Sequence, residues 1–181
     1  MAPVVASIVL AALAAANLYA QAPKSSEYQV KAAYLYSFGR FIAWPIAPAK
    51  QDEFVICVLG RDPFGPTLEA VGAGITIAGQ PAVSRRLERA QDATGCRIVF
   101  ISASEEGALD RVFAALGKST ALTVSDLPQF TRRGGMIQFV TDGNKVRFEV
   151  NLTAADDVGL VLSSELLKVA LTVRRTPRRG A

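Results

Sequence analysis

Three short runs limit what this chain can fold into: Phe54-Val-Ile-Cys-Val-Leu59, Arg97-Ile-Val-Phe-Ile101 and Ala121-Leu-Thr-Val-Ser125. Each is the length of a strand and apolar almost throughout, without the alternation of a sheet that has one wet face. Such runs fit strands buried on both sides, as in the centre of a parallel sheet. A parallel sheet needs crossover helices, and helical signals lie between the runs. Leu109, Val112, Phe113 and Leu116 form an i, i+3, i+4, i+7 stripe that Gly117 can terminate, and Ser102 with Glu105 resembles a capping box at its start.

Ser26-Glu27-Tyr28-Gln29 has the capping-box pattern of a first helix, with Val30, Tyr34, Phe38, Phe41 and Ile42 as its apolar positions and Pro45 beyond its end. Gly60 to Gly65 reads as a loop followed by a short helix to about Ala70. Ile75–Ala78 and Pro81–Arg86 read as short strands around Gly79. Asp142-Gly143 between Met136–Val140 and Lys145–Val150 signals a hairpin. Thr153 to Asp156 marks a short helix ending at Gly159. A last helix starts at Ser163 or Ser164 and packs through Leu166, Leu167 and Ala170. The order predicts one α/β domain over residues 24–173: a mixed sheet with parallel central strands, an edge hairpin and flanking helices.

Residues 1–22 carry no charged side chain, and Val4 to Ala16 is almost wholly Val, Ile, Leu and Ala. This is the layout of a signal peptide, expected over residues 1–20 with cleavage between 16 and 22. A basic n-region is missing, and an uncleaved anchor is the alternative, although the run breaks at Asn17, short of the roughly 20 apolar residues of a spanning helix. Export makes a disulfide the first reading of Cys57 and Cys96. If their strands are neighbours, the two Cα atoms can approach bonding distance. Two buried free thiols are the alternative. No CxxC and no histidine would activate either as a nucleophile.

The chain has 20 basic and 16 acidic residues. Arg174, Arg175, Arg178 and Arg179 account for the excess, so residues 174–181 read as a solvated basic tail. A short tail is not the basic face that binds nucleic acid, and nucleic acid is not an expected partner. The absence of histidine removes imidazole catalysis and His-ligated metal sites. No metal or cofactor is expected, and an enzyme would have to work through Asp, Glu or Ser. Gly117-Lys118-Ser119 imitates a phosphate loop but has Val112 where that motif needs glycine. Asn151-Leu152-Thr153 is a glycosylation sequon in form only, and Asp156 and Asp157 read as helix-end charges. Candidate ligand-binding residues are Phe41 and Trp44, at the end of the first helix, and Arg61, in a loop after a strand where α/β proteins often bind ligands. Arg147 and Glu149 alternate with apolar residues on the hairpin strand and are candidates for a charged contact surface.

Glu27-Tyr-Gln-Val-Lys-Ala-Ala-Tyr-Leu-Tyr-Ser-Phe with Phe41 to Pro45 resembles the start of the YfiR-like family of bacterial periplasmic proteins. Cys57-Val-Leu-Gly60, Cys96-Arg-Ile-Val-Phe-Ile-Ser102, Leu122-Thr-Val-Ser-Asp126, Gly134-Gly-Met-Ile137, Val146-Arg-Phe-Glu-Val-Asn151 and Ser164-Glu-Leu-Leu-Lys-Val169 follow in the family's order. The resemblance implies a compact periplasmic α/β domain that forms dimers. It implies a structural disulfide, since Cys57 and Cys96 match the family's pair. It implies a non-enzymatic repressor that binds the periplasmic sensor region of an inner-membrane diguanylate cyclase, so controlling cyclic di-GMP and biofilm formation. Ile137 and Glu149 fall in segments resembling those implicated in partner contact. A second cysteine pair, found towards the C-terminus of some relatives, is missing here. A periplasmic small-molecule sensor without a cyclase partner is the alternative function.

Overall fold

The computed structural model describes residues 24–45 and 52–175. The expected leader and the tail from residue 176 lie outside them. Helix α1 (Lys24–Phe41) leads into a two-residue strand β1 (Ile42–Ala43). Then come β2 (Phe54–Leu59), α2 (Thr67–Gly72), β3 (Thr76–Ile77), β4 (Gln80–Leu87) and β5 (Cys96–Ile101). They are followed by α3 (Leu109–Leu116), β6 (Leu122–Ser125), β7 (Ile137–Asp142) and β8 (Lys145–Asn151). The last described elements are α4 (Leu152–Asp157), β9 (Val161–Leu162), α5 (Ser164–Val169) and β10 (Thr172–Arg174).

Among the described residues, one sheet holds eight strands in the order β10-β8-β7-β6-β5-β2-β4-β3, and β1 pairs with β9 separately. The pairs β4/β2, β2/β5, β5/β6, β6/β7 and β8/β10 are parallel; β7/β8 and β3/β4 are antiparallel. This is the expected mixed α/β domain with a parallel centre. The hairpin is placed differently. β7 and β8 turn through Gly143 and Asn144, both at positive φ (52° and 62°), as a two-residue turn requires. They do not form the margin, because β10 adds outside β8. The edge hairpin is β3–β4, at the opposite margin. Arg174, expected in a solvated tail, is the last residue of β10, and its side chain lies 3.8 Å from Glu149.

Each apolar run splits by parity between two cores. Ile56, Val58, Ile98, Phe100, Leu122 and Val124 face α1, packing with Leu35 and Phe38. Cys57, Leu59, Val99 and Ile101 face the other way, against Leu109 and Val112 of α3. α1 is rotated relative to the expected stripe. Ala32, Leu35, Phe38 and Ile42 are buried, while Val30 and Phe41 are exposed. Close packing sets the rotation. A Cβ on Gly39 would lie 2.7 Å from Ile77 Cδ1 and 2.9 Å from Phe54 Cζ, so the helix turns its glycine to the sheet. The helix also starts at Lys24, which puts Ser26 inside it and not at its cap. Ser102 precedes its helical turn without a side-chain capping bond. Asn151, not Thr153, caps α4 by accepting the Ala154 N–H, and Ser163 caps α5 by accepting the Leu166 N–H.

Cys57 and Cys96 form a disulfide, with Cα atoms 5.9 Å apart. It joins β2 to its neighbour β5 within the α3-side core. Arg85 of β4 covers it: Nη2 lies 3.3 Å from Cys96 Sγ and donates to the Thr94 carbonyl at 2.9 Å. The bridge closes a separation of 39 residues. Cys57→Ser or Cys96→Ser should therefore lower unfolding free energy by about 2–5 kcal/mol. Urea titration of oxidised wild type and variant measures this, and coincident midpoints would contradict it.

Candidate functional site

The order β4-β2-β5 makes β2 the point at which the chain reverses its direction across the sheet. Ligands of open α/β sheets bind beyond the carboxyl ends of strands at such a point. Here the crevice between β2 and β5 is filled by the protein itself. The Arg61 N–H donates to Ser104 Oγ at 2.9 Å, Ser104 lies 2.8 Å from Ser102 Oγ, and Ser104 bonds Glu105 at 3.0 Å. Any side chain on Gly60 would collide with these three residues.

The open space is displaced towards β6 and β7, where a cleft of about 920 Å³ is found. Its floor is the first turns of α1, with Glu27, Tyr28 and Lys31. One wall is the loop after β2, with Pro63 and Phe64. The other is Asp126, just past β6, and the outer half of β7.

Lys31 gives the floor its chemistry. It is one turn before Leu35 and two before Phe38, so the helical period puts it on the buried stripe, where the residue is 4% exposed. A buried ammonium costs several kcal/mol unless it is paired. Lys31 Nζ lies 2.7 Å from Asp126 Oδ2 and 2.6 Å from Glu27 Oε1, and 4.4 Å from the Tyr28 ring centre. The Tyr28 hydroxyl donates to the same Asp126 oxygen at 2.9 Å. Burial first, and then the Asp126 charge, pushes the Tyr28 phenol well above its ordinary pKa, so it remains a donor. The cluster binds the start of α1 to the carboxyl end of β6. Two carboxylates face one ammonium, which leaves the floor negative.

The loop wall is held by a second cluster. Asp62 Oδ1 accepts the Phe64 N–H at 2.8 Å, and Asp62 Oδ2 takes Arg86 Nη2 at 2.7 Å. Arg86 of β4 also bonds Glu69 of α2. That hydrogen bond is the largest cause drawing the Glu69 carboxyl down to about 2.

The sequence candidates are dispersed. Trp44 is half-buried, with its ring 5.4 Å from Phe54 and Arg97 over it at 5.6 Å; Phe41 is exposed on the same end of the molecule. Arg61 lies beyond the other end of β2, a strand about 20 Å long, so these three residues do not make one site. Their loop does contribute, since Pro63 and Phe64 line the cleft, whereas Arg61 is exposed beside it. Ile137 is fully buried and pairs with Val150, on the α1 side of the sheet. Arg147 and Glu149 point to the other face, so Ile137 shares no surface with them. It has none to offer a partner in this conformation. Glu149 is half-buried and accepts from Thr131 Oγ1 at 3.4 Å. Arg147 is half-buried, with Nε lacking a partner.

Sequence reasoning missed Lys31 and Asp126 as a pair. The available signal was a lysine on the core stripe of an otherwise apolar helix face. Among the described residues, no group of three or more His, Cys, Asp or Glu is placed to hold a metal ion. No described helix is long and apolar enough to cross a membrane.

A family model described as DUF4154, YfiR/HmsC-like, matches residues 28–171. The chain belongs to this YfiR/HmsC-like family. The match takes in α1 from Tyr28 onwards, the disulfide, the cleft lining apart from Glu27, and the β7–β8 hairpin, and membership points to a periplasmic regulatory role. No curated protein matches the sequence. Among solved structures, the domain is similar to an ABC domain in complex with L-Trp from Streptococcus pneumoniae: TM-score 0.56, 12% identity, covering 79% of this chain and 60% of that one. It is also similar to a conserved domain protein from Vibrio cholerae O1 biovar El Tor: TM-score 0.50, 13% identity, covering 66% of this chain and 54% of that one. The chain thus spans less than two thirds of either neighbour, and at these identities the likeness is one of fold.

Two outcomes follow from the clusters. Lys31→Met strands Asp126 beside Tyr28 and should cost about 1–3 kcal/mol, below the fully buried case because Glu27 is partly solvated. A double-mutant cycle with Asp126→Asn in urea should show coupling; additive losses would contradict it. The depressed Glu69 carboxyl stabilises the fold above its ordinary pKa of 4.5, and that contribution is lost as pH falls towards about 2. Glu69 is half-exposed, so solvent screening keeps the effect below about 1 kcal/mol. Urea midpoints followed down through this window should fall less steeply for Glu69→Gln than for wild type.

Proposed function

We propose that this protein is a periplasmic regulator that binds the periplasmic sensor region of an inner-membrane diguanylate cyclase and holds the cyclase inactive. Family membership over residues 28–171 carries the proposal. Repression needs no chemistry in the regulator, only a higher affinity for the inactive than for the active receptor. To move a receptor from mostly active to mostly inactive takes a differential of roughly 5 kcal/mol. A surface of ordinary size supplies this when a few buried anchors are well placed.

The outer end of the sheet supports such a contact. Arg147 and Glu149 are half-exposed on one face of β8; Val173 of the edge strand, in register with Val150, is exposed on the other face, and Val169 and Leu171 are exposed on the segment leading into that strand. An outer strand that exposes apolar side chains on one face and carries the Arg174–Glu149 pair on the other offers both kinds of contact found in a protein interface. The same edge suits a second copy of the chain, in keeping with a homodimer. Release of cyclase activity would raise cyclic di-GMP and biofilm formation.

Deletion of this protein in its host should raise cyclic di-GMP, measured by mass spectrometry of cell extracts. Wild type restores the low level. Arg147→Ala, with an unchanged melting temperature, should restore it less completely and co-purify less cyclase from detergent-solubilised membranes. Unchanged cyclic di-GMP on deletion, with no cyclase recovered, would overturn the proposal.

A further inference from the structure

One wall of the cleft is backbone. β7 extends to Asp142, but its parallel neighbour β6 pairs with it only at Val124–Ile137 and Ser125–Gln138. On the other side, the two-residue turn makes Asp142 and Lys145 a hydrogen-bonded pair, and bonded and non-bonded pairs alternate from there. Gln138, Val140 and Asp142 therefore turn their amides to β8. Ile137, Phe139 and Thr141 turn theirs away from it. The register with β6 uses Ile137 and the Phe139 N–H. The Phe139 carbonyl and both backbone groups of Thr141 remain on an open edge, and both residues line the cleft.

β6 cannot extend to cover that edge. After Ser125 the chain turns off, with the Leu127 N–H bonded to Ser125 Oγ and Pro128 lacking an N–H. The missing strand leaves a gap with a definite charge. Glu27 and Asp126 are the acidic residues lining it, and Lys31, held by both, is the basic one. Arg86 of β4, which braces the loop wall, is engaged with Asp62 and Glu69, and Arg61 of that loop lies exposed beside the cleft, outside its lining. Pro63 and Phe64 supply an apolar surface opposite the edge.

We infer that the cleft takes an extended peptide segment by strand addition to β7, with a lysine or arginine side chain of that segment reaching Asp126 and Glu27. Main-chain bonds at Phe139 and Thr141 supply sequence-independent affinity, and the negative floor selects the basic side chain. The inference rests on the function proposed above in one respect: the segment belongs to a partner protein.

The test uses the 15N-labelled mature domain and an acetylated, amidated heptapeptide, Gly-Thr-Val-Lys-Val-Thr-Gly, followed by NMR at millimolar peptide. Amide shifts should centre on Phe139 to Thr141 and on Lys31. Replacing the peptide lysine by glutamate should weaken binding by about tenfold or more, a loss of about 1.4 kcal/mol. Thr141→Pro removes an edge donor that no strand pairing uses, so the melting temperature should hold while affinity falls by a similar factor. Asp126→Asn should abolish the preference for lysine over glutamate. Unperturbed edge amides, or undiminished binding by Thr141→Pro, would overturn strand addition. So would n-butylamine or phenethylamine binding as tightly as the peptide, since the cleft would then be a small-molecule amine site. Recovery of the cyclase by a Thr141→Pro protein, with peptide binding absent from wild type, would leave the regulatory proposal standing and remove this one.

Discussion

The central strands β2, β5 and β6 are covered on both faces, by α1 on one side and α3 on the other. This leaves no lateral surface on which they could carry polar chemistry. Charge has to appear where the strands stop, and there the clusters stand: Lys31 with Asp126 beyond β6, and Asp62 with Arg86 beyond β2. Each cluster does two jobs. It neutralises a group that the packing has desolvated, and it fixes a chain segment that the sheet itself does not hold. The cleft exists because these two fixed segments stand apart, with β6 stopping short of the end of β7 between them.

The sequence made the sheet legible because burial on two faces leaves a strong signature. Phe54–Leu59 and Arg97–Ile101 need no outside information to be read as central strands, and the disulfide follows once they are neighbours. The terminal strands carried no such signal. Thr172–Arg174 is three residues long and pairs through backbone bonds to β8, so nothing in its composition marks a strand, and its last residue, Arg174, reads as tail. For the same reason the β7–β8 hairpin was expected at the margin. The rotation of α1 leaves no hydrophobic signal in the sequence because a glycine, Gly39, sets it. Hydrophobic periodicity gives a glycine no weight, yet its missing side chain lets the helix approach Ile77 and Phe54.

The site was less legible, for two separate reasons. Ile137, Arg147 and Glu149 were grouped by segment, but the side-chain period of a strand is two, and the register Ile137–Val150 puts the isoleucine on the face away from both charges. Lys31 and Asp126 are 95 residues apart, and nothing local links them. Only the fold shows that the helix stripe carrying Lys31 ends where β6 delivers a carboxylate. A lone charged residue on an apolar face is a signal that a partner exists somewhere; it does not say where.

The two cores also separate the disulfide from the cleft. The bridge lies on the α3 side, among Leu59, Val99 and Leu109, whereas Lys31 and Tyr28 belong to the α1 side. β2 is shared: Cys57 points to one core, Ile56 and Val58 to the other, and the loop after Leu59 becomes the cleft wall. Reduction would therefore reach the cleft chiefly through the backbone of β2 and the loop that follows it, not through side-chain contact. Arg86 and Asp62 oppose that route by tying the same loop to β4, whose neighbouring Arg85 covers the disulfide. β4 thus meets both features through adjacent arginines of opposite strand parity. One strand touches the disulfide and also holds the wall of the open cleft, which gives a change at the bond a continuous backbone path to that wall.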